Sequence, residues 1–262
     1  REIVAVTFTN KAAAEMRERA ERESGVGLAG AFLGTFHGFG LSILRAHAAA
    51  ADLPPGFVIY DTADQVTLVR QVLKAAGLDE KSRPPRQILS AISRLKNALV
   101  EPEEADGKAR TADQKLVADL FRQYEDGLRR SGALDFDDLL VHPVRLFSRR
   151  ADVLERYARR IRWLLVDEYQ DTNPLQYRLI RLLTSVHRNV CCVGDEDQSI
   201  YGFRGADIRN ILDFSRDFPD ATIIKLEQNY RSTGNILKAA STLIAHNAGR
   251  HEKTLWTDGT PG

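Results

Sequence analysis

Short runs rich in apolar residues recur along this chain, and each empties into polar side chains. The first lies between Glu2 and Phe8, the second is Trp163–Val166, the third Val190–Val193 and the fourth Thr222–Leu226. Runs of this length without polar alternation predict strands buried in a parallel sheet. Between them the pattern is helical. Asn10 stands as an N-cap before an Ala-rich helix from Lys11 to about Glu23, and Thr35 before a second one to about Ala50. Asp61 is placed to cap a helix through Ala76, Pro84-Pro85 to open another through Leu99, and Thr111 to cap a third. In that third helix Leu116, Leu120, Phe121, Tyr124 and Leu128 share one face. Asp135 is placed to cap a helix over Phe136–Phe147, Asn173-Pro174 to start the next, and Ser232 to cap the last, Thr233 to about His246. A wholly helical stretch set between strands predicts an α/β domain, residues 1–52 and 133–221, carrying an all-helical insertion over 53–132.

In open parallel sheets the ligand crevice lies at the carboxyl ends of the strands. The second run ends in Asp167-Glu168. An Asp at a strand end suits a Mg²⁺ ion held largely through its water shell, and the following Glu suits orienting and deprotonating an attacking water. The plainer alternative is that the pair merely begins a loop. The third run empties through Gly194 into Asp195–Asp207. Gly194 permits a tight turn. Gln198, an uncharged donor and acceptor, suits sensing a terminal phosphate, while Phe203 and Arg204 suit stacking on a base. After the fourth run, Tyr230 suits stacking and Arg231 the neutralisation of phosphate charge. The alternative there is a core tyrosine and an Arg231–Glu227 ion pair.

These stretches, in this order, resemble motifs II (Asp167–Asn173), III (Val193–Asp207) and IV (Leu226–Ser232) of the UvrD/Rep/PcrA helicases of superfamily 1. Ala5–Met16 resembles motif Ia, Gly34–Phe39 motif Ib, and Leu134–Leu140 the acidic motif that returns the chain from the helical insertion. The resemblance covers essentially the whole chain. It implies a RecA-like P-loop NTPase sheet, a second RecA-like domain beginning at residues 222–262, and ATP bound between the two domains with Mg²⁺. It implies ATP-driven 3′–5′ translocation on single-stranded DNA and unwinding at duplex junctions, in repair or replication. Under it Asp167 is the Mg²⁺ ligand, Glu168 the base and Gln198 the link between γ-phosphate and DNA. Tyr230 stacks on adenine and Arg231 reaches the γ-phosphate. Phe8, Thr9, Asn10, Thr35, Phe36, His37, Phe136, Phe203 and Arg204 are the implied DNA contacts. Phe203 stands where many relatives carry Trp, so its platform is smaller. Gln170 and Asp171 are expected to tie motif II to neighbouring loops.

No G-x-x-x-x-G-K-[ST] occurs in the sequence. The resemblance places that phosphate loop upstream of Arg1 and motifs V and VI downstream of Gly262. The span is therefore expected to be an internal piece that binds ATP poorly and does not unwind DNA. Its sheet is expected to lack a central strand and to show two exposed edges.

Composition narrows the partners. Lys and Arg number 37 against 36 Asp and Glu, a net charge of +1, so any DNA site must be local. Local basic runs are Lys81, Arg83, Arg86, Arg94 and Lys96, and then Arg149, Arg150, Arg156, Arg159, Arg160 and Arg162, the second group reading as a solvated helix face. Cys191 and Cys192 are neighbours on opposite faces of a buried strand and form no ordinary disulfide, which fits a reducing, cytoplasmic setting. No apolar run reaches membrane-spanning length. Asp135, Asp137 and Asp138 admit a metal-site reading, but carboxylates at a helix start are favoured as caps. Two competing functions remain. One is a non-catalytic nucleic-acid-binding fragment. The other is a metal-dependent nuclease, or the helicase subunit of a helicase–nuclease. A Gly-Lys-Thr loop upstream would separate enzyme from binding module.

Overall fold

A computed structural model describes residues 2–25, 27–247, 250, 251 and 253–262, with the backbone alone at Arg204. In chain order the first half comprises β1 (Ile3–Thr7), α1 (Asn10–Ser24), β2 (Ala31–Thr35), α2 (Phe36–Ala46), β3 (Val58–Ile59), α3 (Thr62–Ala75), α4 (Pro85–Asn97), α5 (Pro102–Lys108) and α6 (Ala112–Arg130). There follow β4 (Ala133–Leu134), α7 (Asp138–Arg149), α8 (Ala151–Arg160), β5 (Trp163–Val166), α9 (Pro174–Leu183), β6 (Val190–Cys192), α10 (Arg209–Leu212), α11 (Phe214–Asp217) and α12 (Gly234–Ile244). The chain divides into two compact units, Arg1–Asp167 with Asn173–Cys192, and Glu168–Thr172 with Val193–Gly262.

The first unit holds a parallel sheet in the order β2-β1-β5-β6. Val4, Ala5 and Val6 are buried, as a continuous apolar run in a central strand requires. The four strands pair contiguously, β1 bonding directly to β2 on one side and β5 on the other, with β2 and β6 at the edges. One expectation fails here. Not all the runs are buried on both faces: Trp163 and Leu165 of β5 are exposed while Leu164 and Val166 are buried. Cys191 is exposed and Cys192 half-buried, both as free thiols, because β6 pairs on one side only. Strand β2 was not expected, since Gly34 and Thr35 break its apolar pattern.

Residues 62–130 are largely helical, as the pattern predicted, with additions. Asp61 caps α3 in a reciprocal box with Asp64, and Thr111 caps α6 in one with Gln114. Leu68, Val69, Leu73, Ile88, Ile92, Leu120, Phe121 and Tyr124 form its core. At its base β3 and β4 pair in parallel, Val58 opposite Ala133 and Ile59 opposite Leu134, where only helices were expected. Helices α5 and α8 are also additions, and the arginines of α8 face solvent as expected. Thr9, not Asn10, caps α1, its hydroxyl accepting from Ala12 N at 3.1 Å. Helix α2 ends at Ala46, and a separate turn of 3₁₀ helix covers Ala49–Ala51. Gly40 of α2 lies against α7 so closely that a Cβ there would sit 1.9 Å from Leu139 O.

Ile88, Ile92 and Lys96 follow one another at helical spacing on α4, so the lysine occupies a core position. It is only 1 % exposed. Its Nζ reaches Glu125 Oε1 at 2.8 Å, Asp135 Oδ2 at 2.8 Å and Asp138 Oδ1 at 2.7 Å. Tyr124 Oη donates to Asp135 Oδ2 at 3.1 Å. Burial alone would lower the ammonium's pKa, but Asp138, Asp135 and Glu125 outweigh it and hold it well above its ordinary value. Burial pushes the Glu125 carboxyl up to about 7. The cage joins α4 and α6 to the segment leading into α7. Lys96 is thereby removed from the basic run that could have met DNA.

In the second unit the expected strand Thr222–Leu226 is absent. Ile223, Ile224 and Leu226 are exposed, and the nearest pairing is a single bridge between Gln228 and Trp256. Among the described residues the segment joins no ladder, without which an extended stretch is not a strand. Helix α12 starts at Gly234 with Thr233 as its N-cap in place of Ser232, and without a side-chain capping bond. No helix among the described residues is long and apolar enough to cross a membrane.

Lys96→Ala leaves three carboxylates around an uncompensated space. It is expected to destabilise the fold by about 3–5 kcal/mol, the usual cost of removing one partner from a buried ion cluster. Urea unfolding checks this, and a loss under about 1 kcal/mol would contradict a structural role for the cage.

Candidate functional site

The register of β1 and β5 sets Val6 opposite Val166, so both strands end together. Asp167 N donates to Val6 O at 3.0 Å, which extends the pairing by one residue. Thr7, buried at the end of β1, points its hydroxyl at Asp167 Oδ2 at 3.5 Å. Asp167 is half-buried, at the carboxyl end of a parallel strand. A carboxylate beside a hydroxyl is an all-oxygen donor set, which fits a hard cation such as Mg²⁺ better than a softer ion. Thr7 was missed as a participant, although a polar residue closing a buried apolar strand was the available signal.

The second unit opens at Glu168. Its backbone is left-handed, φ 52° and ψ 44°, a conformation that costs a non-glycine residue roughly 1 kcal/mol or more. The neighbouring side chains fix it. Gln170 Nε2 donates to Glu168 Oε2 at 2.7 Å, and Gln170 Oε1 accepts from Asp195 N at 2.9 Å. The backbone donor determines which way the Gln170 amide points, so the NH₂ must face the Glu168 carboxylate. Gln170 thus ties motif II to the loop after β6. A Cβ at Gly194 would lie 2.8 Å from Gln170 Oε1 and 2.9 Å from Ile211 Cδ1, so only glycine lets this tie form. Asp171 makes no comparable tie: its Oδ1 is buried without a hydrogen bond among the described residues. Burial first, then the Glu168 charge, raises its carboxyl pKa.

Gln198 lies exposed in a short 3₁₀ turn, its Nε2 donating to Asp195 Oδ2 at 2.7 Å. The acidic residues around it are engaged within the unit. Arg250 grips Asp197 through two bonds of 2.9 and 2.6 Å, Lys253 pairs with Asp195, and His251 N donates to Glu196 at 2.9 Å. Phe203 is 80 % exposed and Tyr201 lies 6.0 Å from it, ring to ring. The side chain of Arg204 lies outside the described residues. Tyr230 is 85 % exposed, so it is not a core residue. Its hydroxyl donates to Gln228 Oε1 at 2.6 Å. Arg231 is exposed, and Glu227 accepts from Thr254 N instead of pairing with it.

The expected DNA residues of the first unit separate into two kinds. Phe36 is 2 % exposed and buttresses the half-buried Phe8 at 5.8 Å, so its ring offers no surface and is a correction to the expected contacts. Thr9 and Asn10 are exposed at the start of α1. Thr35 spends its hydroxyl accepting from Gly38 N at 3.0 Å as the cap of α2. His37 stacks on Phe136, centroids 4.0 Å apart and planes 25° from parallel, and Phe136 remains 53 % exposed. Asp135 and Asp138 cap one another, Asp138 N to Asp135 Oδ1 at 2.9 Å and Asp135 N to Asp138 Oδ2 at 3.0 Å. The place a metal would take among Glu125, Asp135 and Asp138 is held by the Lys96 ammonium.

The model of the UvrD/REP helicase N-terminal domain matches residues 1–219. The ATP-dependent DNA helicase PcrA of Bacillus subtilis (strain 168) is 46 % identical over 260 residues, 99 % of this chain and 35 % of that protein. The proteins of the same name from Staphylococcus epidermidis (strain ATCC 12228) and Staphylococcus aureus (strain NCTC 8325) are likewise 46 % identical over 260 residues, 99 % of this chain and 36 % of theirs. The chain thus spans about a third of the length of the curated relatives it matches.

Burial lowers the His37 pKa to about 4. The imidazole is then neutral at pH 7, and its NMR titration is expected to have its midpoint near pH 4 in place of the ordinary 6.5. Between these values the unfolded chain binds the proton and the folded chain does not. His37 therefore contributes stability that rises with pH across that window and is lost as pH falls through it. A midpoint at or above 6 would show a solvated, chargeable ring.

Proposed function

The chain belongs to the UvrD/REP helicase family, and from that premise we propose that it forms part of the motor of an ATP-dependent DNA helicase that moves 3′–5′ along single-stranded DNA and opens duplex junctions in repair or replication in the cytoplasm. Residues 53–132 are its helical insertion, residues 1–52 and 133–221 the surrounding RecA-like domain, and 222–262 the start of a second. The observation that carries this reading is the carboxylate pair at the end of β5. Asp167 is fixed by strand register, and Glu168 is held in a left-handed conformation by Gln170.

Asp167, with Thr7 beside it, would hold Mg²⁺. When bound, the ion supplies charge neutralisation along the triphosphate of ATP. Glu168 accepts the proton of the attacking water and orients its lone pair. Gln198 reports the state of the terminal phosphate, Arg231 neutralises its charge and Tyr230 stacks on adenine. Phe8, Thr9, Asn10, His37, Phe136 and Phe203 supply the single-strand path, where exposed rings stack on bases without reading sequence. Residues 1–262 contain no G-x-x-x-x-G-K-[ST], so we place the phosphate cradle outside this span and expect the span alone to bind nucleotide poorly and to unwind nothing. A nuclease reading has little support, because among the described residues the carboxylate group clustered closely enough to hold a metal is already occupied by the Lys96 ammonium.

In the complete protein, Glu168→Gln is expected to bind ATP as the parent does and to lose at least about a hundredfold in DNA-stimulated turnover, since the base is gone and the Mg²⁺ ligand stays. Steady-state ATPase with single-stranded DNA decides it, and turnover within a few-fold of the parent rules out the base assignment. Phe203→Ala is expected to weaken single-strand binding by ~1–3 kcal/mol, the usual loss for one stacking ring. Fluorescence anisotropy at matched salt measures it, and unchanged affinity would make Phe203 a packing residue.

A further inference from the structure

Three acidic residues stand in a row on the turn that carries Gln198: Asp195, Glu196 and Asp197. Carboxylates this close repel one another. A basic segment from far along the chain, inside the same compact unit, lies against them. Arg250 holds Asp197 through Nε at 2.9 Å and Nη2 at 2.6 Å. Lys253 Nζ lies between two of the acids, donating to Asp195 Oδ1 and standing 3.3 Å from Asp197 Oδ2. All four side chains are mostly buried, so these pairs are screened less than surface ones. The Arg250 bond, ahead of the Lys253 charge, holds the Asp197 carboxyl below its ordinary range.

Asp195 is the hub of this cluster. Its N–H donates to Gln170 Oε1 at 2.9 Å, and its carbonyl accepts from Gln198 N at 2.9 Å. With the backbone held on both sides, the carboxylate is what remains to be placed. Its Oδ1 accepts from Asp197 N at 3.0 Å and from Lys253, which leaves Oδ2 for Gln198 Nε2 at 2.7 Å. A carboxylate can only accept, so the NH₂ of Gln198 faces it and the amide has one orientation. Gln198 is itself exposed, and an exposed glutamine without such a bond keeps its rotamer freedom.

We propose that Lys253 is a positioning residue for Gln198 and acts through the Asp195 carboxylate. Without the ammonium, Asp195 and Asp197 repel each other across the space it filled. Two bonds from Arg250 keep Asp197 in place, so Asp195 is the one that turns. Its Oδ2 then leaves the Gln198 amide, which loses its orientation. This rests on the helicase reading above, in which Gln198 senses the terminal phosphate.

The test uses the complete protein and measures steady-state ATP hydrolysis at saturating single-stranded DNA. The variants are Lys253→Met, which keeps the length of the side chain and removes its charge, Lys253→Arg, Gln198→Ala, and Lys253→Met combined with Gln198→Ala. Expected for Lys253→Met is a kcat lower by about five- to tenfold with a KM for ATP within about twofold of the parent, a loss in the range of couplings between touching groups. Lys253→Arg should return kcat to within about twofold, since a guanidinium can also bridge two carboxylates. The double variant should match Gln198→Ala within about twofold, because Lys253 has nothing to position once that amide is gone. If Lys253→Met does not fold, Lys253→Gln takes its place, removing the charge and keeping a donor. A kcat within twofold of the parent overturns the proposal, and so does a rise in KM alone. Losses that multiply in the double variant, or a loss that Lys253→Arg does not restore, also overturn it, since either marks a bond that merely supports the fold. A parent that hydrolyses no ATP removes the helicase reading itself, and the role of Lys253 with it.

Discussion

The pairing of β1 with β5 is the constraint on which the site depends. A parallel ladder has one register that buries Val4 and Val6 together with Leu164 and Val166. A slip of one residue would turn each buried side chain to the opposite face. That register also aligns the strand ends, so Thr7 and Asp167 meet as a consequence of packing several residues away. Beyond the ends, backbone bonds no longer dictate geometry and side chains take over. The left-handed Glu168 and its Gln170 clasp are the result, with local strain tolerated because the Gln170 amide is locked by Asp195 N.

The Lys96 cage solves a different problem. Helices α4 and α6 must meet the segment leading into α7 at a fixed angle, and apolar contacts alone are indifferent to small slides. Several groups with directional bonds, buried together, admit one arrangement. Desolvation of four ionisable side chains is costly, and it is offset only while each keeps its partner. The cage also sets its own carboxylates apart from the strand-end one. Glu125, Asp135 and Asp138 are satisfied internally, whereas Asp167 keeps carboxylate capacity for a cation.

Much of this was legible in the sequence where local rules act alone. The capping residues Asp61, Thr111 and Asn173 and the helices they open follow from short-range chemistry, and so does the apolar run into Asp167-Glu168. The Asp135 carboxylate reads as a cap for the same reason. What escaped depends on long-range partners. Strand β2 carries a glycine that only its pairing with β1 redeems. Thr222–Leu226 has strand-forming residues yet joins no ladder among the described residues. Lys96 looked like part of a basic patch, although its spacing from Ile88 and Ile92 already placed it on the buried stripe. Phe36 and Phe136 are both aromatic and both sit in family-like motifs, yet one is core and the other open. Composition cannot separate them, because burial is decided by neighbours far along the chain.

We assign the metal-holding carboxylate to the strand-end Asp167 and not to the larger acidic cluster around Lys96. Replacing Mg²⁺ by Fe²⁺ in the complete, nucleotide-bound protein and generating hydroxyl radicals with ascorbate and peroxide cuts the backbone beside the ion. Cuts are expected at Val166–Glu168 and near Thr7, with Asp135–Asp138 intact. Cleavage concentrated at Asp135–Asp138 would contradict it.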